Sequence, residues 1–185
     1  ELALMMTLKE KLGEVARKKF LLTWTWHPRP LNTAVANSAL LISTKFGMDV
    51  TLLCPEEAYR LDPQFMEAGS RFADQNGGSF GVTHDIEEAY TGADVVYAKS
   101  WGALPFYGRP EEEWDLRKNY RHFIVDEDKM ALTNQALFSH CLPLRRNVKA
   151  TDGVMDADYC VAIDEAENRL HVQKALMMRL LEGDL

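Results

Sequence analysis

The sequence predicts an α/β fold with a doubly wound, mainly parallel sheet. Short apolar runs rich in β-branched and aromatic residues alternate with segments of helical periodicity along the chain. Each apolar run ends at a Pro, a Gly or a polar cluster, which is typical of strands that lead into loops. The 185 residues, 46% of them hydrophobic, suffice for one domain with a substantial core.

The first half of the chain contains three predicted strands, each followed by a predicted helix. The strands are predicted at residues 20–26, 49–54 and 79–84. The helices are predicted at residues 32–47, 62–78 and 86–92. Asn32 is suited to cap the first helix and Gly47 to end it, while Pro63 suits the first position of the second helix.

The second half continues the alternation but contains a long irregular segment. Further strands are predicted at residues 94–99 and 136–142, with a short extended segment at 159–165. Helices are predicted at residues 127–134 and 165–183. Asp164 and Glu167 have the spacing of a capping box for the final helix. The stretch WGALPFYGRPEEE, residues 101–113, predicts an irregular loop of Gly, Pro and aromatic residues.

The opening stretch ELALMMTLKEKLG predicts an amphipathic helix that ends at Gly13. It begins without Met and lacks the basic, apolar and cleavage regions of a signal peptide. We therefore expect the chain to be a fragment of a longer protein, beginning within a helix that joins it to an upstream domain.

Composition excludes several classes of partner. Lys and Arg number 21 against 28 Asp and Glu, a net charge of -7, which argues against nucleic acid because phosphate binding needs a basic face. No apolar run approaches the roughly 20 residues that span a bilayer, so we expect no membrane partner. The three cysteines form no framework spacing and indicate a reducing, cytoplasmic compartment.

Polar loops follow three of the predicted strands. They read HPRP after the first strand, KSWGALP after the fourth and HCLPLRR after the fifth. In doubly wound sheets, ligands bind outside the carboxyl ends of the strands near the switch point of the strand order. The last loop also concentrates Arg145, Arg146 and Lys149 in an acidic protein. The sequence therefore predicts a site for anionic ligands at this edge of the sheet.

Other kinds of site fit the sequence less well. A Rossmann-like dinucleotide site needs glycines and free amides in the first turn, but HPRPLNT has no glycine, and Pro28 and Pro30 each lack an N–H. The five histidines are scattered without zinc-site spacing, so no metal is expected. His140 and Cys141 would point to opposite faces of a strand, which is poor geometry for a Cys-His nucleophilic pair.

Two motifs in the second half resemble the transcarbamoylase family. They are HCLP at residues 140–143 and DEAENR at residues 164–169. The resemblance implies the fold of the family's second, C-terminal domain, which binds the amino-acid substrate. The family's carbamoyl-phosphate half, with its S-T-R-T-R and H-P-x-Q motifs, is absent from this sequence. The implied division is a remnant of the interdomain helix at 1–14, an amino-acid-binding α/β domain at 15–165, and a helix at 166–185 that packs back toward the other half.

The loops differ from those of the ornithine-specific branch of the family, which has G-D-x-N-N and S-M-G motifs at these positions. With LRRNVKATD after the HCLP motif, they resemble the branch that uses N-acetylornithine. The implied reaction is carbamoyl transfer from carbamoyl phosphate to the δ-amine of N-acetylornithine, in a homotrimer without metal or organic cofactor. N-succinylornithine and ornithine remain alternative substrates, and a non-catalytic amino-acid-binding domain is an alternative of another class.

The resemblance also implies roles for individual residues. The turn His140, Cys141 and Leu142 would be catalytic, presenting its backbone and the thiol to the carbamoyl group and the attacking nitrogen. N-acetylornithine would contact Lys99, Leu142, Arg145 and Asn32. Carbamoyl phosphate would contact Cys141, Leu142 and Arg169.

Lys149 would be an N6-carboxylysine, in which CO2 converts the lysine cation into an anionic carbamate. For each of these residues a purely structural role is the alternative. Arg169, for example, has the spacing of a helical ion pair with Glu165.

Overall fold

The computed structural model describes residues 1–183 and contains a five-stranded sheet in which every neighbouring pair of strands is parallel. The strands are β1 (Lys19–Trp24), β2 (Asp49–Leu53), β3 (Ser79–Thr83), β4 (Val95–Lys99) and β5 (Leu137–Ser139). The helices are α1 (Leu2–Leu12), α2 (Ala34–Lys45), α3 (Pro63–Asn76), α4 (Ile86–Tyr90), α5 (Pro110–Arg117), α6 (Glu127–Ala131), α7 (Asp152–Met155) and α8 (Ala162–Glu182). The predicted α/β, doubly wound class is confirmed.

The strand order β3-β2-β1-β4-β5 places the switch point between β1 and β4. Five of the six β1 residues are buried, as expected for a central parallel strand covered on both faces. Pairing puts Trp24 opposite Lys99 and, one strand further, Tyr97 opposite Ser139. The carboxyl ends of β1, β4 and β5 therefore lie side by side at one edge of the sheet.

Two helices lie where the sequence analysis predicted none. Within the segment predicted to be an irregular loop, α5 begins at Pro110, and its first turn contains three glutamates. Proline at the first position and acidic residues in the first turn are helix-start signals that the neighbouring glycines and aromatics obscured. The short helix α7 begins after Thr151, whose side chain accepts a hydrogen bond from the Val154 N–H.

Several predicted boundaries are wrong. β1 ends at Trp24 because the Trp26 N–H leaves the sheet and donates to the Phe123 carbonyl. β5 ends at Ser139, and the turn that follows contains the cis peptide between Leu142 and Pro143.

The segment 159–165 is not extended throughout, since only Cys160 bridges to the sheet and α8 begins at Ala162. The capping box is also wrong: Val161 occupies the N-cap, and Asp164 pairs with Lys11 at 2.6 Å. At the other predicted cap, Thr33 rather than Asn32 is the N-cap residue of α2.

The first and last helices pack against each other. The Asn168 side-chain amide donates to Thr7 Oγ1 at 2.9 Å and to a Glu10 carboxylate oxygen at 2.7 Å. Beyond this contact α8 exposes large apolar side chains, among them Leu170, Met177, Leu180 and Leu181. Residues 184 and 185 of the predicted final segment lie outside the described residues. Among the helices of residues 1–183, none is both long and apolar enough to cross a membrane.

The loops after β1 and β4 cross closely at Gly102. Its N–H donates to the Leu31 carbonyl at 2.8 Å, and a Cβ at this position would lie 2.8 Å from the Cβ of Pro30. Only a residue without a side chain allows the two backbones this separation.

We predict that Gly102→Ala lowers the free energy of unfolding by about 1–3 kcal/mol, because the added methyl overlaps Pro30 in a packed region. Urea titration of the variant measures this. Gly81→Ala is the matched control, since a Cβ there meets nothing within 4 Å. Equal stability of the two variants would contradict the close approach of the loops.

Candidate active site

The candidate site lies above the adjacent carboxyl ends of β1, β4 and β5. Lys99 is the last residue of β4, and its ammonium donates to Cys141 Sγ across 3.4 Å. Cys141 belongs to the turn that follows β5 and is half-buried, while Leu142 beside it is exposed. The structure therefore brings together the strand-end lysine and the HCLP turn, which are 42 residues apart in sequence.

Beneath this contact, His140 and Lys149 form a buried pair. The two side chains are 1% and 4% exposed, and Lys149 Nζ lies 3.2 Å from His140 Nε2. The other ring nitrogen, Nδ1, contacts the Cys141 carbonyl and so donates to it. Nε2 is then left as the acceptor of a hydrogen bond from the lysine.

Burial controls the protonation of both groups. Desolvation, reinforced by the Lys149 charge, lowers the pKa of His140 to about 3, so the ring is neutral at neutral pH. Desolvation, with the Lys99 charge as the next cause, lowers the pKa of Lys149 to about 8. A substantial fraction of Lys149 is consequently a neutral, nucleophilic amine under mildly basic conditions.

The two arginines of the loop have different partners. Arg146 forms ion pairs with Asp152 at 3.0 Å and with Asp156 at 2.5 Å, so it ties the loop to the α7 segment. Arg145 is exposed and forms no ion pair within residues 1–183. Its charge acts on Lys149 and on His27. Of this pair, Arg145 is the one available to an anionic ligand.

Arg169 faces a separate part of the site. It lines a cleft of about 720 Å³ together with Tyr97, Cys141 and Leu142. The ion pair with Glu165 that its spacing allows is not among those formed by the described residues. Glu165 instead accepts a hydrogen bond from Ser139 Oγ at 2.5 Å. Within residues 1–183 the guanidinium therefore forms no ion pair, and it lines a cleft that the HCLP turn also lines.

Asn32 lies apart from these residues. Its side-chain oxygen accepts from the Ala34 N–H at 3.2 Å, an interaction local to the start of α2. It borders a second cleft, of about 410 Å³, between the loops that contain Pro30 and Gly102. No contact joins it to Lys99 or Lys149 in the described part of the chain. Its predicted contact with a substrate stays a prediction.

His27 is a site residue to which the sequence analysis gave no role. It is 7% exposed near the start of the loop after β1, and its Nδ1 lies 2.8 Å from the Arg29 carbonyl. Burial lowers its pKa against the opposing effect of the Arg29 hydrogen bond, and the charges of Lys149 and Arg145 lower it further. Its position in the sequence, soon after the strand at the switch point, could have identified it as a candidate site residue.

No group of three His, Cys, Asp or Glu side chains within residues 1–183 is arranged to hold a metal ion. The site instead collects cationic and neutral nitrogen donors. The charges of Lys99 and Arg145 act on Lys149, and the Lys149 charge acts on the His27 imidazole. Such a set suits phosphate, carboxylate and carbamate ligands.

This combination of fold and site is that of a known class of proteins. Residues 22–180 match the family model described as "Aspartate/ornithine carbamoyltransferase, Asp/Orn binding domain". The chain belongs to this family, and the part it represents is the amino-acid-binding domain.

Within the family, the chain is similar to proteins named N-acetylornithine carbamoyltransferase. It is 63% identical to that of Xanthomonas campestris pv. campestris over 98% of this chain and 54% of the relative. A crystal structure of acetylornithine transcarbamylase complexed with acetylcitrulline matches it with a TM-score of 0.94 and 64% identity, covering 95% of this chain and 53% of that one. The N-succinylornithine carbamoyltransferase of Bacteroides thetaiotaomicron is 37% identical over 94% of this chain and 50% of that protein. The chain thus spans about half the length of the relatives it matches.

The depressed pKa of His140 predicts a pH-dependent contribution to stability. Between the folded value of about 3 and the ordinary value of about 6.5, the unfolded chain binds more protons than the folded one. The free energy of unfolding therefore falls as pH drops through this window, by at most about 1.4 kcal/mol per pH unit for this one residue.

We predict that His140→Gln makes the fall in stability between neutral pH and mildly acidic pH shallower than in the wild type, because glutamine does not titrate. Urea unfolding at several pH values measures the slope. His171→Gln is the control, since it replaces an exposed histidine on α8, outside the candidate site. An unchanged slope for His140→Gln would show that the ring is not held neutral.

Proposed function

We propose that the protein containing this chain transfers the carbamoyl group of carbamoyl phosphate to the δ-amine of N-acetylornithine, giving N-acetylcitrulline and phosphate for arginine biosynthesis. The observation that carries the proposal is the convergence of Lys99, the HCLP turn and Lys149 at one edge of the sheet. The identity of 63% to N-acetylornithine carbamoyltransferase, against 37% to the succinylornithine enzyme, supports the choice of acceptor.

The carbamoyl-phosphate end of the site is proposed to lie between Arg169 and the HCLP turn. An unpaired guanidinium forms bidentate, charge-assisted hydrogen bonds to phosphate oxygens. Cys141 and Leu142 line the same cleft, which supports contacts of their backbone and thiol with the carbamoyl group. Positioned donors there would stabilise the negative charge that develops on the carbonyl oxygen.

The amino-acid end is proposed to use Lys99, Leu142 and Arg145, with Asn32 at its border. A lysine at the carboxyl end of a buried strand needs an anionic partner, and the substrate carboxylate supplies one. Arg145 adds a second cation without a partner of its own. Leu142 is exposed beside Cys141 and provides apolar contact for the substrate's methylene chain.

The proposed reaction needs no protein base. The neutral δ-nitrogen attacks the carbamoyl carbon, a C–N bond forms, and the bond from that carbon to the phosphate oxygen breaks. The nitrogen then loses a proton, which the departing phosphate accepts. Alignment of the two substrates between the two halves of the enzyme would provide much of the rate enhancement.

Lys149 is proposed to be carboxylated. The uncharged amine attacks CO2 and releases one proton, which leaves an anionic carbamate in place of a cation. Its lowered pKa favours the reactive form, and Lys99 and Arg145 are close enough to stabilise the anion. The carbamate would in turn neutralise part of the positive charge around it.

The wider architecture is also part of the proposal. Residues 1–14 would belong to the helix that joins the two halves, residues 15–165 to the acetylornithine-binding domain, and residues 166–185 to a helix that packs against the carbamoyl-phosphate half. The exposed apolar side chains of α8 fit such a contact. The intact enzyme is expected to be a cytoplasmic homotrimer.

The decisive experiment is an assay of the complete enzyme with N-acetylornithine, N-succinylornithine and ornithine as acceptors. We expect the highest kcat/KM with N-acetylornithine. A preference for either other acceptor would replace the proposed substrate. Binding of N-acetylornithine without carbamoyl transfer to any acceptor would instead favour a non-catalytic amino-acid-binding protein.

We predict that native mass spectrometry of the enzyme in bicarbonate finds an added mass of one CO2, which disappears in Lys149→Ala. The same variant should lose about 100-fold in kcat/KM, since a charged group at the reacting centre is removed. Lys118→Ala, which changes an exposed lysine paired with Asp115, is the control and should retain both properties. Unchanged kinetics of Lys149→Ala would eliminate a role for Lys149 in the reaction.

We predict that Arg169→Gln raises the KM for carbamoyl phosphate about ten- to hundredfold, the value of a hydrogen bond to a charged group. The KM for N-acetylornithine should change much less. Arg179→Gln, a further exposed arginine on the same helix, is the control. Steady-state kinetics with each substrate varied in turn would contradict the assignment if both KM values rose equally.

A further inference from the structure

A buried ion pair lies beneath the loops of the candidate site but touches none of the residues assigned to substrates. Arg117 and Glu113 face each other one turn apart on α5, and each is 1% exposed. The guanidinium lies over the rings of Trp24 and Tyr59, at 5.4 Å from each centroid. These two charges are thus enclosed by aromatic side chains rather than by solvent.

The pair binds the backbone of two loops at the candidate site, the loop after β1 and the loop after β4. Arg117 donates to the carbonyl of Trp101 at 2.9 Å, in the loop after β4, and to the carbonyl of His27 at 3.3 Å, in the loop after β1. Glu113 accepts a hydrogen bond from the Ala103 N–H at 3.0 Å. One ion pair therefore links two loops that approach each other from different strands.

These anchor points lie next to the proposed substrate contacts. Trp101 is two residues after Lys99, and Trp24, whose indole N–H donates to the same Trp101 carbonyl at 2.9 Å, pairs with Lys99 in the sheet. The second anchor is the carbonyl of His27 itself, whose ring lies within the influence of Arg145 and Lys149. Movement of the Trp101 carbonyl would displace the nearby Lys99, and movement of the His27 carbonyl would displace the His27 ring.

Stability alone is a weak reason for such a pair. Burial of two charges costs several kcal/mol per ion by desolvation, and the mutual attraction often does no better than an apolar replacement. Arg117 also leaves its Nε without a hydrogen-bond partner among the described residues. An apolar pair, however, could not bind the three backbone groups of the two loops, which are the carbonyls of His27 and Trp101 and the N–H of Ala103.

We propose that Arg117 and Glu113 are positioning residues for the amino-acid substrate: they fix the loops after β1 and β4 so that Lys99, at the end of β4, holds the geometry of the acceptor site. The proposal rests on the proposed carbamoyl transfer and adds two residues to it that contact neither substrate. Disturbance of the pair should weaken binding of the amino acid and leave carbamoyl phosphate largely unaffected, because no hydrogen bond or ion pair within residues 1–183 joins α5 to Arg169 or to the HCLP turn.

The test uses the complete enzyme, and the wild-type assay comes first. In Arg117→Lys the charge remains but the planar fork that reaches two carbonyls is lost. We expect the KM for N-acetylornithine to rise about tenfold, the equivalent of one charge-assisted hydrogen bond, and the KM for carbamoyl phosphate to stay within about twofold. Glu113→Gln keeps an acceptor for the Ala103 N–H and should show a smaller change in the same direction.

Two controls separate positioning from general destabilisation. Glu112→Gln breaks an exposed pair with Arg109 in the first turn of the same helix and should leave both KM values unchanged. Val50→Ala creates a cavity in β2 near the amino edge of the sheet, so it lowers the melting temperature away from the site. It should not raise the KM for N-acetylornithine selectively.

The outcomes distinguish the two proposals. A wild-type enzyme that does not carbamoylate N-acetylornithine overturns the proposed function and this inference with it. An active wild type in which folded Arg117→Lys has an unchanged KM for N-acetylornithine, or the same KM pattern as Val50→Ala, overturns the positioning role alone. Should Arg117→Lys fail to fold, the same criteria are applied to Glu113→Gln.

Discussion

The parallel pairing of β1 with β4 is the constraint on which the site depends. It joins strands that are far apart in sequence, and it sets Lys99 opposite Trp24 at the carboxyl edge of the sheet. β5 then pairs on the far side of β4 and delivers the HCLP turn to the same edge. Strand register thus brings Lys99 and the HCLP turn together, and the loop after β5 adds Arg145 and Lys149.

The cluster that results is electrostatically unfavourable by itself. The positive charges of Lys99 and Arg145 repel that of Lys149, which is itself buried. The burial and this repulsion lower the pKa of Lys149, so the strain is relieved by loss of a proton and not by a neighbouring carboxylate. His140 stays neutral and Lys149 is partly neutral for the same reason. A site built in this way is stabilised when anions bind, so ligand affinity and folding stability are linked.

Most strands and helices were predictable from the sequence, because each has a characteristic periodicity of apolar residues. The edge of the sheet at which the candidate site lies was predictable from the polar loops that follow the strands. The short helices α5 and α7 were not, because aromatic and glycine residues masked the Pro-Glu start of the first and the second is a single turn. Arg145 and Arg146 are adjacent and identical in chemistry. Only the positions of Asp152 and Asp156 in space distinguish Arg146, which they bind, from Arg145, which forms no ion pair within residues 1–183. Arg117 lay outside every motif, and its contacts span 90 residues to His27.

The ion pairs of Arg146 have a consequence for how ligands are selected. Together with the Asn147 amide, which donates to the Asp152 carboxylate at 2.7 Å, they tie the loop between Arg145 and Ala150 to the start of α7 and restrict its conformational freedom. Little conformational entropy then remains to be lost when the amino acid binds. For the proposed acceptors, discrimination should therefore act mainly through dissociation rates, as in preorganised sites, and a calorimetric signature of folding upon binding should be absent.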